Sequence, residues 1–355
     1  MLPARRQRSN SILPAEWEPQ SLVMLTWPHQ ATDWDPYLKE VTETYVRMTD
    51  AITRHEQVVI ATPHPIQVGA LLSSRLTAEQ MTGVYICFCK TNDTWARDHG
   101  PVTLRSAEGK LTMLDFRFNG WVEKFEASLD NEITRTLHRD GAFDTEEKGT
   151  PRLADHDDFV LEGGAIESDG RGTVFTTECC LMAPNRNQPL SREEIEEELM
   201  FRLKAQRIVW LQNGKLVGDD TDGHIDTIVR IAPDDTLLYN RCEEREDEHY
   251  ADFVALEEEL KELRTVEGEP YRLIALPQPD AIYDEDGERL PATYANFLII
   301  NGAVLVPVYN QEEKDQRACE AIRTAFPDRE IITIDSRVLI RQHGSIHCCT
   351  MQVPV

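Results

Sequence analysis

The chain has 355 residues, of which 41% are apolar and 28% charged, and its formal net charge is −26. This composition is typical of a globular protein with a sizeable core, and no apolar run reaches the ~20 residues needed to span a bilayer. The acidic excess argues against a nucleic-acid partner, because phosphate binding needs clustered lysine and arginine, whereas it is compatible with a cationic substrate.

The first residues, 1–12, are predicted to form a flexible leader, and residues 13–355 one catalytic domain, since no linker rich in Gly, Ser or Pro divides them. None of the eight cysteines forms a C-x-x-C pair, so a structural zinc site has no support. In the absence of a recognisable signal peptide, we expect free thiols and a cytoplasmic protein.

Short strands and helices alternate along the chain. Runs of β-branched and aromatic residues predict strands at 22–27, 57–61, 84–89, 111–116, 173–176, 207–211, 237–239, 272–276, 296–300 and 303–308. One helix is predicted to begin at Asp35-Pro36, where a capping residue precedes proline, and another at Ser191, which opens a capping box. Two further helices are predicted over 246–264 and 312–326.

A repeat is visible in this order of elements. Strands beginning near 172, 235 and 302 lie roughly 65 residues apart and each precedes a helix, and the strand at 22–27 resembles a fourth copy. Such a module, repeated about five times, cannot bury its faces alone and must pack around a shared axis. The alternative is a common α/β protein with coincidental spacing.

Four segments combine residues capable of chemistry, namely 95–101, 161–164, 223–226 and 344–348. Each is a weak signal alone. Asp98 beside Arg97 is typical of a surface ion pair, and Glu162 before two glycines suits a hairpin turn. An isolated cysteine such as Cys348 is more often packing than a nucleophile.

Together the four segments match the needs of guanidine chemistry. Two carboxylates, Asp98 and Asp226, could hold a planar guanidinium through paired hydrogen bonds, while the thiolate of Cys348 attacks its carbon. Strand alternation would place His224 on the same side as Asp226, and Glu162 could orient this histidine as it moves protons. His347 would face away from its neighbour Cys348, so His224 is the predicted base.

These segments, with Phe118-Asn119-Gly120-Trp121 and the stretch 13–17, resemble the agmatine deiminases and the related Porphyromonas-type peptidyl-arginine deiminases over nearly the whole chain. The resemblance implies an α/β fold of the pentein type, a five-bladed α/β propeller with pseudo-fivefold symmetry and a central pocket. It also implies no metal, no organic cofactor and a homodimer. The implied reaction converts agmatine to N-carbamoylputrescine and ammonia in polyamine biosynthesis.

The resemblance also implies roles for individual residues. Cys348 matches the nucleophile, and His224 matches the general acid and base. Asp98 and Asp226 match the guanidinium-binding carboxylates, and Glu162 matches the carboxylate paired with the histidine.

The resemblance also bears on two positions and one segment near the site. Trp95 matches an aromatic residue that lines the aliphatic stem of the substrate, and Cys349 is interpreted as packing. The glycine-rich segment common in agmatine deiminases is here Gln342-His343-Gly344-Ser345, a departure that bears on the exact substrate.

Several alternatives remain open at this stage. The substrate could be peptidyl-arginine or another small guanidine, although peptide-modifying relatives are expected to carry an export signal. An amidinotransferase would use similar chemistry with an amine in place of water. A thiol protease would have no need for the three carboxylates. A catalytically dead guanidine- or polyamine-binding protein belongs to a different class altogether.

Overall fold

The computed structural model describes residues 11–144 and 149–355 and has a mixed α/β fold, as predicted. Within these ranges the strands form five sheets, and each sheet combines an antiparallel pair with at least one parallel strand. A helix connects the parallel neighbours in every sheet, which is the βαβ arrangement that parallel pairing requires.

The strands and connecting helices of the five sheets have the following bounds. Sheet 1 contains Thr350–Pro354, Gln20–Thr26, Gln57–Thr62 and Val84–Phe88, with helices Leu38–Ile52, Pro65–Ser73 and Ala78–Met81. Sheet 2 contains Ser11–Ile12, Val102–Ser106, Leu111–Arg117 and Arg152–Val160, with helix Ile133–Arg139. Sheet 3 contains Glu167–Ser168, Thr173–Thr177 and Arg207–Leu211, with helix Arg192–Arg202. Sheet 4 contains Val229–Ala232, Thr236–Arg241 and Arg272–Pro277, with helix Tyr250–Glu262. Sheet 5 contains Leu298–Ile300, Ala303–Val308 and Glu330–Asp335, with helix Glu312–Ala325.

The helices pack one apolar face on their own sheet. In Leu38–Ile52, Val41, Tyr45, Met48 and Ile52 recur at helical spacing and are fully buried. This helix follows a short turn of 3₁₀-helix, Asp35–Tyr37, so the predicted start at Asp35-Pro36 is confirmed.

The other predicted helices are also present. The capping box at Ser191 is complete, because its hydroxyl accepts from the amide of Glu194 and its amide donates to the carboxylate of the same residue. The helix predicted over 246–264 is shorter, Tyr250–Glu262, because the carboxylate of Asp247 binds the backbone N–H of His249 and forms a turn there.

All ten predicted strands are present, most within one or two residues of the predicted bounds. The prediction of a strand at 223–226 is wrong, since Ile225–Thr227 is one turn of 3₁₀-helix and the strand begins only at Val229. Positive φ values at Asp222 and Gly223 bend the chain away from an extended path just before this turn.

Most of the predicted leader lies outside the described residues, and its last two residues, Ser11 and Ile12, pair antiparallel with Ser106 and Arg105. Among the described residues, no helix combines the length and the apolarity required to cross a membrane.

Candidate active site

The predicted site residues lie in the connections between successive sheets. Three of these connections contain a single helical turn, Ala96–His99, Gly163–Ala165 and Ile225–Thr227, and these turns pack against one another. The connection that leads back to sheet 1 contributes Cys348, two residues before the strand Thr350–Pro354. Residues far apart in sequence therefore converge on one buried point.

Cys348 is held rigidly and lies among carboxylates. Its N–H donates to Oδ1 of Asn296 at 3.2 Å, and its carbonyl accepts from the N–H of Arg97 at 3.1 Å. Its Sγ is 3.8 Å from Oδ2 of Asp226. Burial, with the nearby charges of Asp226 and Asp98, raises the pKa of the Cys348 thiol well above its usual value. These surroundings therefore favour the protonated thiol of Cys348.

Asp98 is fixed by two donors and lies beside His224. Trp121 Nε1 donates to its Oδ2 at 2.9 Å, and the N–H of Gly164 donates to its Oδ1 at 3.2 Å. Burial raises the pKa of Asp98 to about 6, although the charge of His224 opposes the shift. A Cβ on Gly164 would lie 2.5 Å from His224 Nδ1 and 2.9 Å from Asp98 Oδ1, so only glycine fits between them.

His224 is completely buried, with Nδ1 3.7 Å from Oδ1 of Asp98. Burial alone would lower the pKa of this histidine, but Asp98, Cys180 and Glu162 together raise it to about 10. Neither ring nitrogen has a hydrogen-bond partner among the described residues. These charges favour a cationic imidazole, and hydrogen bonds within the described residues do not engage its N–H groups.

Glu162 is predicted to pair with His224, but its main partner in the structure is Arg186. Its carboxylate forms a bidentate ion pair with Arg186, in which Nε lies 3.0 Å from Oε2 and Nη2 lies 3.0 Å from Oε1, and both side chains are fully buried. Burial would raise the pKa of Glu162, but the charge of Arg186 lowers it. No hydrogen bond or ion pair joins Glu162 to His224 within the described residues, so it influences the histidine through its charge.

Asp226 completes the group of charged residues around Cys348. Its Oδ2 accepts from His347 Nδ1 at 2.6 Å, whereas its Oδ1 is buried without a partner in the described part of the chain. Burial would raise the pKa of Asp226, but the hydrogen bond and charge of His347 lower it. Within the described residues, His347 has no hydrogen bond to the sulfur of Cys348 and binds the carboxylate of Asp226 instead.

A pocket opens from Cys348 and Asp98 toward solvent. Trp95, Trp121 and Phe125 form an aromatic wall, with the rings of Trp95 and Trp121 6.5 Å apart. Trp95, predicted to line the aliphatic stem of the substrate, is thus part of the pocket wall. Its ring packs on Gly344, where a Cβ would approach the ring to 2.2 Å.

Acidic side chains dominate the polar lining of this pocket. Beyond Asp98, the lining includes Asp33, Asp93 and Asp220, and Nε2 of His343 is 3.6 Å from a carboxylate oxygen of Asp220. No lysine or arginine lines the pocket among residues 11–144 and 149–355. This arrangement favours a small cationic ligand.

A model of the Porphyromonas-type peptidyl-arginine deiminase family matches residues 12–354. The chain belongs to this family. Membership of this family makes the protein a deiminase, which is a hydrolase acting on a C–N bond. A guanidinium is the group that its buried carboxylates and its cysteine would contact.

Relatives of this deiminase agree with that assignment. An agmatine deiminase of Pseudomonas putida is 32% identical, with 96% of this chain and 95% of the relative covered. A solved structure from Porphyromonas gingivalis, described provisionally as an arginine deiminase, is 49% identical with a TM-score of 0.90 and covers 97% and 98% of the two chains. A C. jejuni agmatine deiminase with substrate bound is 35% identical, with a TM-score of 0.86 and coverage of 97% and 96%.

The structure also identifies residues that sequence reasoning did not assign to the site of this deiminase. Arg186 lies in a loop and has no local signal, and Asn296 was included in a predicted strand. Trp121 was part of a quoted motif, yet no role was given to it. His347 was considered only as a base for Cys348 and set aside.

Proposed function

We propose that the protein hydrolyses agmatine to N-carbamoylputrescine and ammonia, with Cys348 as the nucleophile. The observation that carries this proposal is that Cys348 and Asp98 line an acidic pocket with an aromatic wall, while Asp226 lies 3.8 Å from the sulfur and His224 3.7 Å from Asp98. The reaction would supply a precursor for polyamine biosynthesis. A cytoplasmic location and a homodimer remain predictions.

The charge of the pocket favours agmatine over arginine. Agmatine carries an amine at the end of its stem, and Asp33 and Asp220 line the pocket and could bind this second cation. Arginine would bring an additional carboxylate to the same place, and no lysine or arginine side chain of the described residues lines the pocket to receive it. Like-charge contacts would therefore disfavour arginine.

The first half of the proposed reaction breaks a C–N bond. Asp98 and Asp226 hold the guanidinium against Cys348, and the added cation lowers the pKa of the thiol, which releases its proton to solvent and becomes a thiolate. The thiolate attacks the guanidinium carbon and forms a tetrahedral adduct. Protonated His224 gives its proton to the departing nitrogen, ammonia leaves, and an amidino-thioether remains on the cysteine.

The second half breaks the C–S bond. His224, now neutral, takes a proton from water as the water oxygen attacks the amidino carbon. Collapse of the second tetrahedral adduct breaks the C–S bond, the departing Cys348 sulfur takes the remaining hydroxyl proton and becomes a thiol again, and the urea group of N-carbamoylputrescine is released. The buried charge of Glu162 supports this cycle, because it stabilises the cationic form of His224 before the first proton transfer and after the second.

We also infer that the five sheets are the blades of a propeller around this pocket. Each sheet repeats the same order of antiparallel pair, helix and parallel strand. The five connections between successive sheets contribute, in chain order, Asp98, Glu162, Asp226, Asn296 and Cys348 to the site. Contributions from all five connections support a shared axis with pseudo-fivefold symmetry.

Ammonia release from agmatine, arginine and a blocked peptidyl-arginine would test the proposed substrate. We expect the highest kcat/KM for agmatine, no turnover by Cys348→Ser, and retained turnover by the matched control Cys349→Ala, which removes the neighbouring buried thiol. Substantial turnover by Cys348→Ser would eliminate the nucleophile assignment. Faster release from arginine or its peptide would instead eliminate agmatine as the preferred substrate.

Two other activities would give distinct results in the same system. An amidinotransferase would form a new guanidine when an amine traps the covalent intermediate, and the yield would rise with amine concentration. A guanidine-binding protein would show a calorimetric signal with agmatine but release no ammonia. The cationic His224 beside Asp98 favours hydrolysis over simple binding, because a binding site has no need for a proton donor.

A further inference from the structure

A row of buried charged groups lies behind Asp226, on the side away from the pocket. His347 is at its centre, with Nδ1 2.6 Å from Asp226 Oδ2 and Nε2 2.7 Å from Glu16 Oε2. All three side chains are less than a tenth exposed. The imidazole therefore joins a carboxylate of the proposed site to a carboxylate from the first segment of the described chain.

The far end of this row is anchored by Arg230. Its Nη2 donates to Glu16 Oε2 at 2.6 Å, and its Nε donates to Glu167 Oε1 at 2.6 Å. The other oxygen of Glu16 accepts from the N–H of Ile299 at 2.7 Å. Glu16, Glu167 and His347 are close enough to share a metal ion, but the guanidinium of Arg230 already binds both carboxylates. This end of the row therefore holds His347 rigidly in place.

The two oxygens of Asp226 have different surroundings. Oδ2 is held by His347 and faces the sulfur of Cys348 at 3.8 Å, whereas Oδ1 is buried and has no partner among the described residues. A buried carboxylate oxygen without a donor is costly, so it is a ready acceptor for a ligand N–H. A donor that fixes Oδ2 also fixes the direction of Oδ1.

We propose that His347 is a positioning residue, which holds Asp226 in one rotamer by donating from Nδ1 to Oδ2 and so leaves Oδ1 for the guanidinium. The proposal rests on the proposed deimination at this site. It assigns to His347 a role that does not require contact with substrate or with the sulfur of Cys348.

The hydrogen-bond geometry also indicates the charge of His347. Nδ1 faces a carboxylate and must donate, and Nε2 is closer to Glu16 Oε2 than to Arg230 Nη2, which is 3.1 Å away. Arg230 itself donates to the same oxygen of Glu16. Both ring nitrogens therefore donate, which is the pattern of an imidazolium.

Charge balance agrees with an imidazolium. The buried groups around His347 are three carboxylates, Asp226, Glu16 and Glu167, and two arginines, Arg230 and Arg97, of which Arg97 donates from Nε to the His347 carbonyl at 3.3 Å. A cationic histidine gives three positive and three negative groups. Loss of its charge would leave an uncompensated carboxylate next to Cys348, which disfavours the thiolate.

Two substitutions of His347 separate positioning from simple packing. The amide nitrogen of His347→Asn can take the place of Nδ1 and donate to Asp226, whereas that of His347→Gln extends toward Glu16, the partner of Nε2. We expect His347→Gln to lower kcat/KM for agmatine about 10- to 100-fold, mostly through KM, as for the loss of a hydrogen bond to a charged group. His347→Asn should retain clearly more activity.

A second readout needs no turnover. The pH profile of Cys348 alkylation by iodoacetamide should shift to higher pH in both variants, because the charge beside Asp226 is lost in each. The control His138→Gln removes a histidine that contacts the carbonyl of Pro151 at 2.7 Å on a helix that contributes nothing to the pocket, and it should leave KM and the alkylation profile unchanged.

A third readout uses the unaltered protein. Proton NMR should show a far-downfield Nδ1 proton that couples to ¹⁵N-labelled histidine, and a conservative change at the other end of the row, Glu16→Gln, should shift it. This NMR measurement tests the hydrogen bond from His347 to Asp226 even if the His347 variants fail to fold. Absence of the resonance, or a wild-type KM and alkylation profile in His347→Gln despite a lower Tm, would overturn the proposal. If agmatine proves not to be the substrate, alkylation and NMR still test His347 separately.

Discussion

Replacing Arg186 by methionine tests the buried ion pair beneath His224. The substitution keeps the length of the side chain but leaves the fully buried carboxylate of Glu162 without its cation. It also removes the donors to the carbonyls of Cys180 and Thr221, at 2.6 and 3.0 Å. Breaking one partner of a buried pair costs about 3–5 kcal/mol, so we expect a loss of this size in the free energy of unfolding near neutral pH.

The pH dependence of this loss has a definite sign. In the native protein the pKa of Glu162 is lowered, so its stabilising contribution is present above the unfolded pKa of about 4.3 and is lost as pH falls through the folded pKa. In Arg186→Met, burial would raise that pKa instead, which adds a destabilising contribution above pH ~4.3. The difference between the two proteins should therefore be largest at neutral pH and narrow on acidification.

Urea unfolding followed by tryptophan fluorescence at several pH values would measure the difference. Adding Glu162→Gln to Arg186→Met removes the unpaired charge and should recover at least half of the loss, because the remaining amide is neutral. A loss below about 1 kcal/mol at neutral pH, or one independent of pH, would refute the reasoning that the pair is a buried charge pair.

Three further predictions concern the pocket. Trp121→Phe removes the 2.9 Å hydrogen bond to Asp98, so the acidic limb of the kcat/KM profile for agmatine should move to higher pH. Calorimetry with Cys348→Ser should show agmatine affinity falling as pH drops below about 6, the pKa of Asp98, by about tenfold per pH unit. Gly344→Ala should displace the ring of Trp95 and lower Tm and turnover together, by about 1–3 kcal/mol in stability, and unchanged thermal unfolding would contradict this.

Much of the fold could be predicted from local patterns, and six of the seven strands of the described residues that these patterns missed lie at the edge of a sheet. Arg152–Val160 and Glu330–Asp335 are the last strands of their sheets, and their side chains are largely polar or only partly buried. Such strands lack the apolar runs that mark Gln57–Thr62. Propensity therefore identified the repeat and the inner strands except Val102–Ser106, while most of the strands it missed lie at sheet edges, where the tertiary structure decides the pairing.

The candidate site shows the same division between local and distant information. His224 and Asp226 were assigned to one site on the grounds of strand alternation, yet they lie together because a 3₁₀ turn directs both inward. A spacing of two residues suits both a strand and a 3₁₀ turn, so the predicted pairing of these residues does not depend on the predicted strand. Arg186 could not be found at all, because only burial distinguishes an arginine paired with Glu162 from one on the surface.

The pKa shifts of Cys348 and His224 explain why the cysteine would be unreactive without a bound cation. Burial and two carboxylates raise the pKa of the thiol, while the pKa of the imidazole is raised to about 10, so the native site favours thiol and imidazolium. A guanidinium bound between Asp98 and Asp226 supplies the positive charge that the sulfur lacks. The nucleophile would then form only in the presence of its substrate, and neutral electrophiles that cannot bind the carboxylates would meet a protonated sulfur. The same carboxylates that select the cation would thus control when the cysteine can react.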